Sequence, residues 1–522
     1  MLELDVNKRI FWFLFASILI FQFVVRIIPP QNNNFYFTTD QGNNAVHVRE
    51  IVEYGRILTK GPETSMPGVF AGPLWYYFLV PGYLLFNGHP FGGIFMLILL
   101  SLGTTTLVAW WVSRRVSPPA GIVAGFALQG YWYFYELSRY EFNPFPVGFL
   151  TLWQLFLLSG FLSGMKKNYY LAFIPLILAF NCAVAVAVVM FLLQLVVGAW
   201  GVKGRILKLK HYTTTTFIIP LIFSSTILLQ LFKQFSKSSL VSAGVVGERG
   251  FFASTNFSEI TLRFSEMFAR SIIPQSSIVS VVLLCVVLYF FYKNGRKNKF
   301  VWNFVLLTGV FWLISFLFFG SNTAWREWHT IYLYLLTFTG LVLMLVSIPK
   351  KIGLTLLALV MLAQGQLFQV RYKETLLPVG SKQYLTLSDD PGILANQLKV
   401  LDWIYTRNEE DGFNVYTYSP HVYDYQNQYL FWWKGREKYG FVPCEYNLFP
   451  GFLKDTYVPK PLAYTQPTLG CDNLRFLIIE PGGDRNSYSK WREKIKFERG
   501  EKVDETEISG YRVEKWRIRP RT

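Results

Sequence analysis

The sequence predicts an α-helical polytopic membrane protein of about eleven transmembrane helices, followed by a C-terminal extracytoplasmic α/β domain. The first observation is composition: of 522 residues, 52% are hydrophobic and 18% aromatic, and the mean hydropathy is +0.29. The second is pattern, because apolar runs long enough to cross a bilayer recur as far as residue 370. The third is the change after residue 371, where the long apolar runs stop and acidic residues become frequent. A soluble fold is therefore excluded for the first part of the chain and predicted for the last.

The positive charge follows from membrane topology rather than from a nucleic-acid partner. The formal net charge is +17, but lysine and arginine cluster in short loops between apolar runs, such as Arg114-Arg115 and Lys350-Lys351. Short loops of this composition face the cytoplasm. The sequence thus predicts the lipid bilayer as a partner and no nucleic-acid binding. We expect an integral protein of the plasma (cytoplasmic) membrane.

The cysteines and histidines indicate no metal centre. Cys182 and Cys285 fall in apolar runs, where a thiol packs as a small hydrophobic group. Cys444 and Cys471 lie in polar sequence and could pair if their compartment is oxidising. The chain has no CxxC motif and no histidine cluster. The sequence therefore indicates no cofactor and leaves open whether a divalent metal is used.

The first apolar runs set the predicted orientation. Residues 10–28 lead into Pro29-Pro30 without a small-x-small cleavage site, which indicates a retained anchor with a cytoplasmic N-terminus. The next run, Val69–Phe86, is interrupted by Gly72-Pro73 and Pro81-Gly82, so we predict a re-entrant or interfacial hairpin. If this run crossed the bilayer, every basic loop would lie outside, against the usual bias. The predicted spans are 10–28, 90–112, 119–137, 145–163, 169–181, 183–200, 213–232, 273–292, 300–320, 331–348 and 352–370, which places the C-terminal region outside.

The first outer loop holds the leading candidate for a reactive group. In the stretch Thr38–Glu50, Asp40 stands at the head of a predicted helix that lies on the membrane surface. Apolar residues recur at helical spacing from Ala45 to Leu58, while charged residues fall on the other side. The Asp40 carboxylate would then be level with the lipid headgroups. The alternative is that Asp40 only caps this helix, since aspartate is a preferred N-cap residue.

Two further outer loops place charged and aromatic residues beside apolar runs. They are Arg139–Pro144 and Trp325–His329. Charged residues at such positions are costly unless they are paired or hydrated, so both loops are candidate sites. The structural alternative is that the aromatic residues are ordinary interface residues and that Arg139 and Glu141 form a simple ion pair.

The region after Tyr372 is long enough for a domain with its own core. Asp390-Pro391 is typical of an N-cap followed by proline at the first helical position. Phe413–Tyr418 and Leu474–Ile479 are typical of strands. The predicted domains are therefore a transmembrane domain, 1–371, with interfacial helices in its first outer loop, 29–89, and an extracytoplasmic α/β domain, 372–522.

Two aromatic stretches of this tail have two interpretations. Tyr423–Tyr425 and Phe431–Trp433 could stack on sugar rings, or they could pack in a core or against the membrane. The second interpretation is favoured.

About the first 160 residues also carry a family resemblance, in order and spacing. With these residues the chain resembles the C-type (GT-C) glycosyltransferases, polytopic enzymes that take a sugar from a polyprenyl phosphate. The resemblance is to the branch of the dolichyl-phosphate-mannose protein mannosyltransferases and the aminoarabinose transferases. The later spans and the tail match only in layout. The matching pieces are Asp40-Gln41-Gly42, Arg49-Glu50-Ile51, Gly61-Pro62, Gly72–Tyr77, Arg114-Arg115, Arg139 and Asn143-Pro144.

The resemblance implies a GT-C-like fold and a transferase that moves a hexosyl or pentosyl group, with inversion, from a polyprenyl-phosphate sugar donor. The acceptor would be an extracytoplasmic protein, lipid or glycan. Asp40 would be the catalytic base, and Glu141 is the candidate for a second acid. Arg49, Arg139 and Arg326 are candidates to hold the phosphate, because a planar guanidinium group suits phosphate oxygens. The other candidate substrate-binding residues are Gln41, Tyr76, Asn143, Glu327 and His329.

The chain departs from the family pattern at two places. Many relatives have arginine where this chain has Asn43, and a basic residue or histidine where it has Ala71. A changed substrate or a weakened enzyme would both fit. Three other functions stay open: a polysaccharide polymerase or ligase, a lipid-sugar transporter (flippase), and a non-catalytic scaffold. A flippase would be expected to show two related halves with broken helices, and the sequence has no internal repeat of that kind.

Overall fold

The computed structural model describes residues 2–64, 69–219, 257–319, 327–375, 390–408, 412–420, 424–450, 473–482, 484–495 and 500–518. The chain divides into two compact units. The helical unit comprises Met1–Arg26, Leu58–Trp75 and Leu97–Tyr372, and the sheet unit comprises Ile27–Ile57, Tyr76–Met96 and Lys373–Thr522. Most of the predicted first outer loop therefore belongs to the same compact unit as the C-terminal region.

The helical unit consists of apolar helices, since a helix satisfies its own backbone hydrogen bonds as a bilayer requires. Helices occur at every predicted span that is fully described, whereas 213–232 lies largely outside the described residues. Among the described residues, six helices are long and apolar enough to cross a membrane, so the count of about eleven stays a prediction. The helices that begin in or belong to this unit are Leu2–Ile27, Leu74–Leu85, Pro118–Gln129, Trp132–Glu136, Pro146–Leu162, Lys167–Leu171, Phe173–Phe180, Val184–Lys203, Phe257–Arg270, Ser277–Phe290, Lys299–Phe319, Ile331–Leu345 and Lys350–Thr375, and Phe91–Arg115 enters it at Leu97.

One helix of this unit lies between the predicted spans 213–232 and 273–292, where no helix was predicted. Phe257–Arg270 has apolar residues on one side and charged residues on the other. Two glutamate–arginine pairs at a spacing of four, Glu259 with Arg263 and Glu266 with Arg270, lie along its charged side. Such pairs stabilise a helix that is exposed on one face.

The run between the first two long helices forms a helix too short to cross a bilayer. Leu74–Leu85, the short apolar helix, has 12 residues and contains Pro81. Its length is about 18 Å, against roughly 30 Å for a hydrocarbon core. The helix alone is too short to span the bilayer, and the re-entrant or interfacial hairpin stays a prediction.

The sheet unit contains a sheet of five described strands, β1 (Asn414–Tyr418), β2 (Glu445–Asn447), β3 (Leu474–Ile479), β4 (Gly500–Ile508) and β5 (Tyr511–Ile518). Their order in the sheet is β2-β1-β3-β5-β4. Strand β1 pairs parallel with β2 and β3, whereas β5 pairs antiparallel with β3 and β4. The predicted strands correspond to β1 and β3. The turn between β4 and β5 has two positive φ angles, 49° at Ser509 and 80° at Gly510, as a tight hairpin turn requires.

Aromatic and branched residues fill the core of the sheet unit. Helix Arg485–Ile495 covers β1 and β3 with Trp491 and Ile495. Helix Tyr425–Leu430 continues as a π-helix, Phe431–Tyr439; together we call them the contact helix. Phe431, Trp432 and Trp433 are buried, so the core interpretation of this stretch is confirmed.

The start of helix Leu394–Thr406 corrects one sequence prediction. Its N-cap is Ile393, and Asp390 lies further upstream. An Asp390 carboxylate oxygen instead accepts a hydrogen bond from the Gly392 N–H at 2.8 Å. The Asp-Pro pair therefore makes a turn before the helix rather than its cap.

Backbone hydrogen bonds join the segment before Asp40 to the C-terminal region. The Phe37 N–H donates to the Gly392 carbonyl at 2.8 Å, and the Leu394 N–H donates to the Phe35 carbonyl at 2.9 Å. The Gln397 amide also donates to the Phe37 carbonyl at 2.8 Å. These bonds fix the chain immediately before Asp40.

Candidate active site

Asp40 lies in the first turn of helix Thr39–Tyr54, the Asp40 helix, and its side chain is exposed. Thr38 is the N-cap residue. The Gln41 side-chain oxygen accepts hydrogen bonds from the Thr38 N–H and hydroxyl, each at 2.7 Å. This is part of a capping box. The alternative that Asp40 caps the helix is therefore wrong, and Gln41, predicted to bind substrate, uses its side-chain oxygen within the helix.

The Asp40 side of the helix carries further polar groups. Asn43, His47 and Glu50 follow at spacings that return them to the same side. The His47 ring centroid is 4.8 Å from that of Tyr76, which also hydrogen-bonds Asn43. His47 Nδ1 is 3.3 Å from a Glu50 carboxylate oxygen. We call this surface the Asp40 face. Two residues that the sequence predicted for the site, Asp40 and Tyr76, lie in the same compact unit. His47 was missed because a lone histidine forms no recognisable motif.

The opposite side of the helix packs on the contact helix. A Cβ atom on Gly42 would lie 2.3 Å from the Gln426 backbone nitrogen, so only glycine allows this approach. Arg49 is 8% exposed, and its guanidinium carbon lies 4.6 Å from the Trp432 ring centroid. The prediction that the charged residues lie on a solvated side is wrong for Arg49 and Glu50, which are buried, whereas Glu53 and Arg56 are exposed.

Arg49 does not converge with Asp40. The two residues are separated by about two and a half turns, which puts them on opposite sides of the helix and roughly 13 Å apart along its axis. Arg49 also forms an ion pair with Glu53, at 2.6 Å. The structure therefore separates this arginine from the Asp40 face.

A buried pair of acids lies behind the start of the Asp40 helix. The Thr39 hydroxyl donates to the Gln426 side-chain oxygen at 3.2 Å, and the Gln426 amide donates to Glu480 at 2.8 Å. Near Glu480 lies Asp424, which accepts a hydrogen bond from Gln428 at 2.6 Å. Burial raises the pKa of Asp424 to about 7; the Gln428 hydrogen bond opposes this rise, and the Glu480 charge adds to it. Sequence offered no signal for this pair, because its members lie far apart in the chain.

The second outer loop belongs to the helical unit. Arg139 is paired with Glu136 at 3.2 Å, and its guanidinium carbon lies 5.7 Å from the Trp132 ring centroid. The Asn143 amide donates to the Cys182 carbonyl at 2.7 Å. Glu141 is 1% exposed. Arg139 is thus a partly exposed cation, whereas Glu141 is enclosed by the fold.

The two Gly-Pro segments of the family resemblance, Gly61-Pro62 and Gly72-Pro73, are held by hydrogen bonds within the helical unit. The Gly61 N–H donates to the Ala71 carbonyl at 2.8 Å, and the Gly72 N–H donates to the Phe180 carbonyl. The Asn181 side-chain oxygen accepts from the Leu74 N–H at 3.2 Å. Asn181 was missed as an anchor, although it marks the break between two predicted short spans.

Arg26, near the end of the first span, was also missed. It is 2% exposed, donates to the Ser138 hydroxyl at 2.8 Å and lies 5.3 Å from the Tyr135 ring centroid. The Gln129 side-chain oxygen accepts a further hydrogen bond, at 3.3 Å. A charged residue inside an apolar run was the available signal.

The third outer loop is described only in part. Arg326 lies outside the described residues. Glu327–His329 forms a 3₁₀ turn, in which the His329 ring stacks on Phe319 with centroids 6.0 Å apart. Cys471, the candidate partner of Cys444, and Tyr423 also lie outside the described residues. In the part of the chain that is described, no group of three or more histidine, cysteine, aspartate or glutamate residues is arranged to hold a metal ion.

Comparison with known proteins shows a fold but no close relative. No family model and no curated protein matches the chain. A crystal structure of ArnT from Cupriavidus metallidurans bound to undecaprenyl phosphate matches with 12% identity and a TM-score of 0.56, over 96% of this chain and 97% of that one. The apo structure of the same protein matches with 11% identity and a TM-score of 0.53, over 98% of each chain.

These matches define the class of fold. The chain has the polytopic GT-C fold, with a C-terminal region built around a small sheet. Together with its apolar helices, this fold makes it an integral membrane protein.

Proposed function

We propose that this protein is a glycosyltransferase that moves a sugar from a polyprenyl phosphate to an extracytoplasmic acceptor. The shared fold supports the class, and the matched structure of ArnT was solved with undecaprenyl phosphate bound. We further propose that the protein lies in the plasma membrane with its N-terminus in the cytoplasm and its sheet unit outside. The observation that carries the proposal is the Asp40 face, where an exposed carboxylate heads a helix held rigidly from behind.

In this proposal Asp40 is the catalytic base. An acceptor hydroxyl attacks the anomeric carbon, its proton passes to the Asp40 carboxylate, and the carbon–oxygen bond to phosphate breaks. The electron pair of that bond stays on the polyprenyl phosphate, which leaves, so the configuration at carbon inverts. Asp40 fits this role better than Glu141, because a base must reach the acceptor and Asp40 is exposed whereas Glu141 is enclosed.

The polar groups beside Asp40 suit a sugar. Asn43 and His47 offer hydrogen-bonding atoms next to the Tyr76 ring, and hydroxyl groups of a sugar need such partners. Arg139 is the described candidate for holding the donor phosphate, since Arg49 faces away from Asp40 and Arg326 lies outside the described residues. Glu141, Asn143, Glu327 and His329 stay candidates for substrate binding.

The test is transfer in proteoliposomes that contain undecaprenyl-phosphate sugars. Asp40→Asn should lower the transfer rate by roughly 100-fold or more while the unfolding temperature stays unchanged, since general base catalysis contributes at least that much. Asp504→Asn makes the same chemical change at an exposed position in the same unit and should transfer like the unchanged protein. Full transfer by Asp40→Asn would remove Asp40 from the mechanism.

A further inference from the structure

Hydrogen bonds bring three helix ends of the helical unit together, and each of these ends carries exposed cations. The Asn298 side-chain amide donates to the Arg115 carbonyl at 2.9 Å, and the Asn303 side-chain amide donates to the Ser163 hydroxyl at 3.1 Å. The Arg115 guanidinium group also contacts the Met165 sulfur. Six exposed cations lie within two residues of these contacts, and we call them the basic cluster: Arg114, Arg115, Lys166, Lys167, Arg296 and Lys297.

Aromatic rings hold the same three helices together next to the basic cluster. The Trp111 ring stacks on the Phe156 ring, with centroids 5.0 Å apart, and the Phe300 ring lies 5.8 Å from Phe156. Each ring belongs to one of the three helices whose ends carry the cations. The basic cluster is therefore mounted on packed helix ends, which fix the cations close to one another.

The sequence places no acid on the segments that carry the basic cluster. Residues 64–135, 142–247 and 267–326 contain no aspartate or glutamate, and all six cations lie in these ranges. Within the described parts of the chain, the side-chain contacts of the cluster are those of Arg115 with Met165 and of Arg296 with the Tyr292 ring, at 4.5 Å. Neither contact supplies a negative charge. A surface of this kind attracts an anionic partner.

The apolar surface beside the basic cluster indicates what kind of anion fits. Trp110 is 48% exposed, Trp302 is 40% exposed and Leu306 is 43% exposed. They belong to Phe91–Arg115 and Lys299–Phe319, two helices that are long and apolar enough to cross a membrane. Tryptophan is enriched at the level of lipid headgroups. A partner that meets both surfaces has an anionic group joined to hydrocarbon, which favours a lipid over a soluble acidic protein.

We propose that the basic cluster binds the phosphate groups of anionic phospholipids. The guanidinium and ammonium groups donate hydrogen bonds to the phosphate oxygens, and the lipid chains lie against Trp110 and Trp302. This proposal does not depend on the proposed transfer reaction, because no member of the cluster has a part in it. A soluble acidic protein is the alternative partner, and the test separates the two.

The experiment measures binding by the full chain in dodecyl maltoside micelles, using microscale thermophoresis. The probes are dioctanoyl phosphatidylglycerol, dioctanoyl phosphatidylcholine, which has the same chains and phosphate but no net charge, and a short polyglutamate peptide. Phosphatidylglycerol should bind roughly tenfold or more tightly than phosphatidylcholine, and added salt should weaken its binding. Equal binding of the two lipids would overturn the role of charge, and tighter binding of polyglutamate would overturn the lipid assignment.

Two charge-removing variants locate the site. Arg114→Gln with Lys297→Gln removes one cation from each of two helix ends, and Lys166→Gln with Lys167→Gln removes two from the third. Each pair should weaken binding of phosphatidylglycerol by roughly tenfold or more, since one cation near an anionic headgroup contributes roughly a fivefold gain. These four side chains are exposed, so the unfolding temperature should stay unchanged.

Two further pairs are the matched controls. Arg114→Lys with Lys297→Arg keeps both charges in place and should bind like the unchanged protein. Arg485→Gln with Lys490→Gln removes two exposed cations from the sheet unit and should also bind like it. If either charge-removing pair binds phosphatidylglycerol like the controls, the site is overturned. An equal loss in the Arg485 and Lys490 pair would overturn it too, because binding would then follow overall charge.

Discussion

Replacement of Asp424 by asparagine should change how the stability of the protein depends on pH. Asp424 is 1% exposed, and burial is the main reason why its pKa is raised to about 7. The Gln428 amide nitrogen donates to it at 2.6 Å, while the Gln428 oxygen has no partner among the described residues. If the Gln428 amide group rotates by 180°, its oxygen can accept a hydrogen bond from the asparagine amide of the Asp424→Asn variant. The variant therefore keeps a hydrogen bond at this position. The variant should fold.

The sign of the effect follows from the direction of the shift. The folded pKa lies above the unfolded one, so the folded state holds a proton that the unfolded chain releases. Raising the pH from about 4 to about 7 therefore lowers the free energy of unfolding, and above about pH 7 the loss is complete. The change from 3.8 to about 7 corresponds to at most about 4 kcal/mol, at about 1.4 kcal/mol for each pH unit.

The measurement is thermal unfolding of the full chain in one detergent at pH 5 and at pH 8. Asp424→Asn should unfold at a higher temperature than the unchanged protein, and the difference between the two proteins should be clearly larger at pH 8 than at pH 5. Taking the difference in unfolding temperature between the two proteins at each pH cancels the contribution of the other titrating groups. Asp504→Asn, at an exposed and paired carboxylate, should follow the unchanged protein at both values. Equal pH dependence of Asp424→Asn and the unchanged protein would refute the reasoning.

Three further changes test how the candidate site is supported. Gly42→Ala puts a Cβ atom 2.3 Å from the Gln426 backbone and should cost about 1–3 kcal/mol in thermal unfolding; Gly103→Ala, with nothing within 4 Å, is the control and should cost nothing. Asn181→Ala removes the acceptor for the Leu74 N–H and should lower stability by about 1 kcal/mol; an unchanged unfolding temperature would contradict the anchor. Tyr76→Phe keeps the ring beside His47 but loses the hydrogen bond to Asn43, so kcat/KM for transfer should fall by roughly threefold to tenfold, and no change would place Tyr76 outside the site.

The sequence predicted those parts of the fold that local patterns determine. Long apolar runs predicted the membrane helices, and the apolar run Leu474–Ile479 predicted β3. The hairpin of β4 and β5 was missed because charged residues occupy much of its exposed surface and weaken the apolar alternation. The cap was misassigned although its signal was present, since Thr38 and Gln41 have the spacing of a capping box.

The candidate site was less predictable because its surroundings come from distant parts of the chain. Periodicity placed Arg49 on a solvated side, but Trp432 of the contact helix covers it. The acids Asp424 and Glu480 have no local motif, and only the folded sheet unit brings Glu480 near Asp424 and Gln426. The position of Asp40 at the start of a helix can be predicted from local sequence, whereas the residues that surround it in space depend on tertiary packing.

The backbone bonds from Phe35 and Phe37 to Gly392 and Leu394 also determine when the candidate site can be completed. Translation delivers Phe35 early and Leu394 only after the membrane helices, so the first strand-like segment waits for most of the chain to be made. Until then, its amide and carbonyl groups must be satisfied by water. A prematurely terminated chain that stops before Gly392 therefore cannot assemble the support of the Asp40 helix, and only a chain that extends through this region can present Asp40 in its final setting.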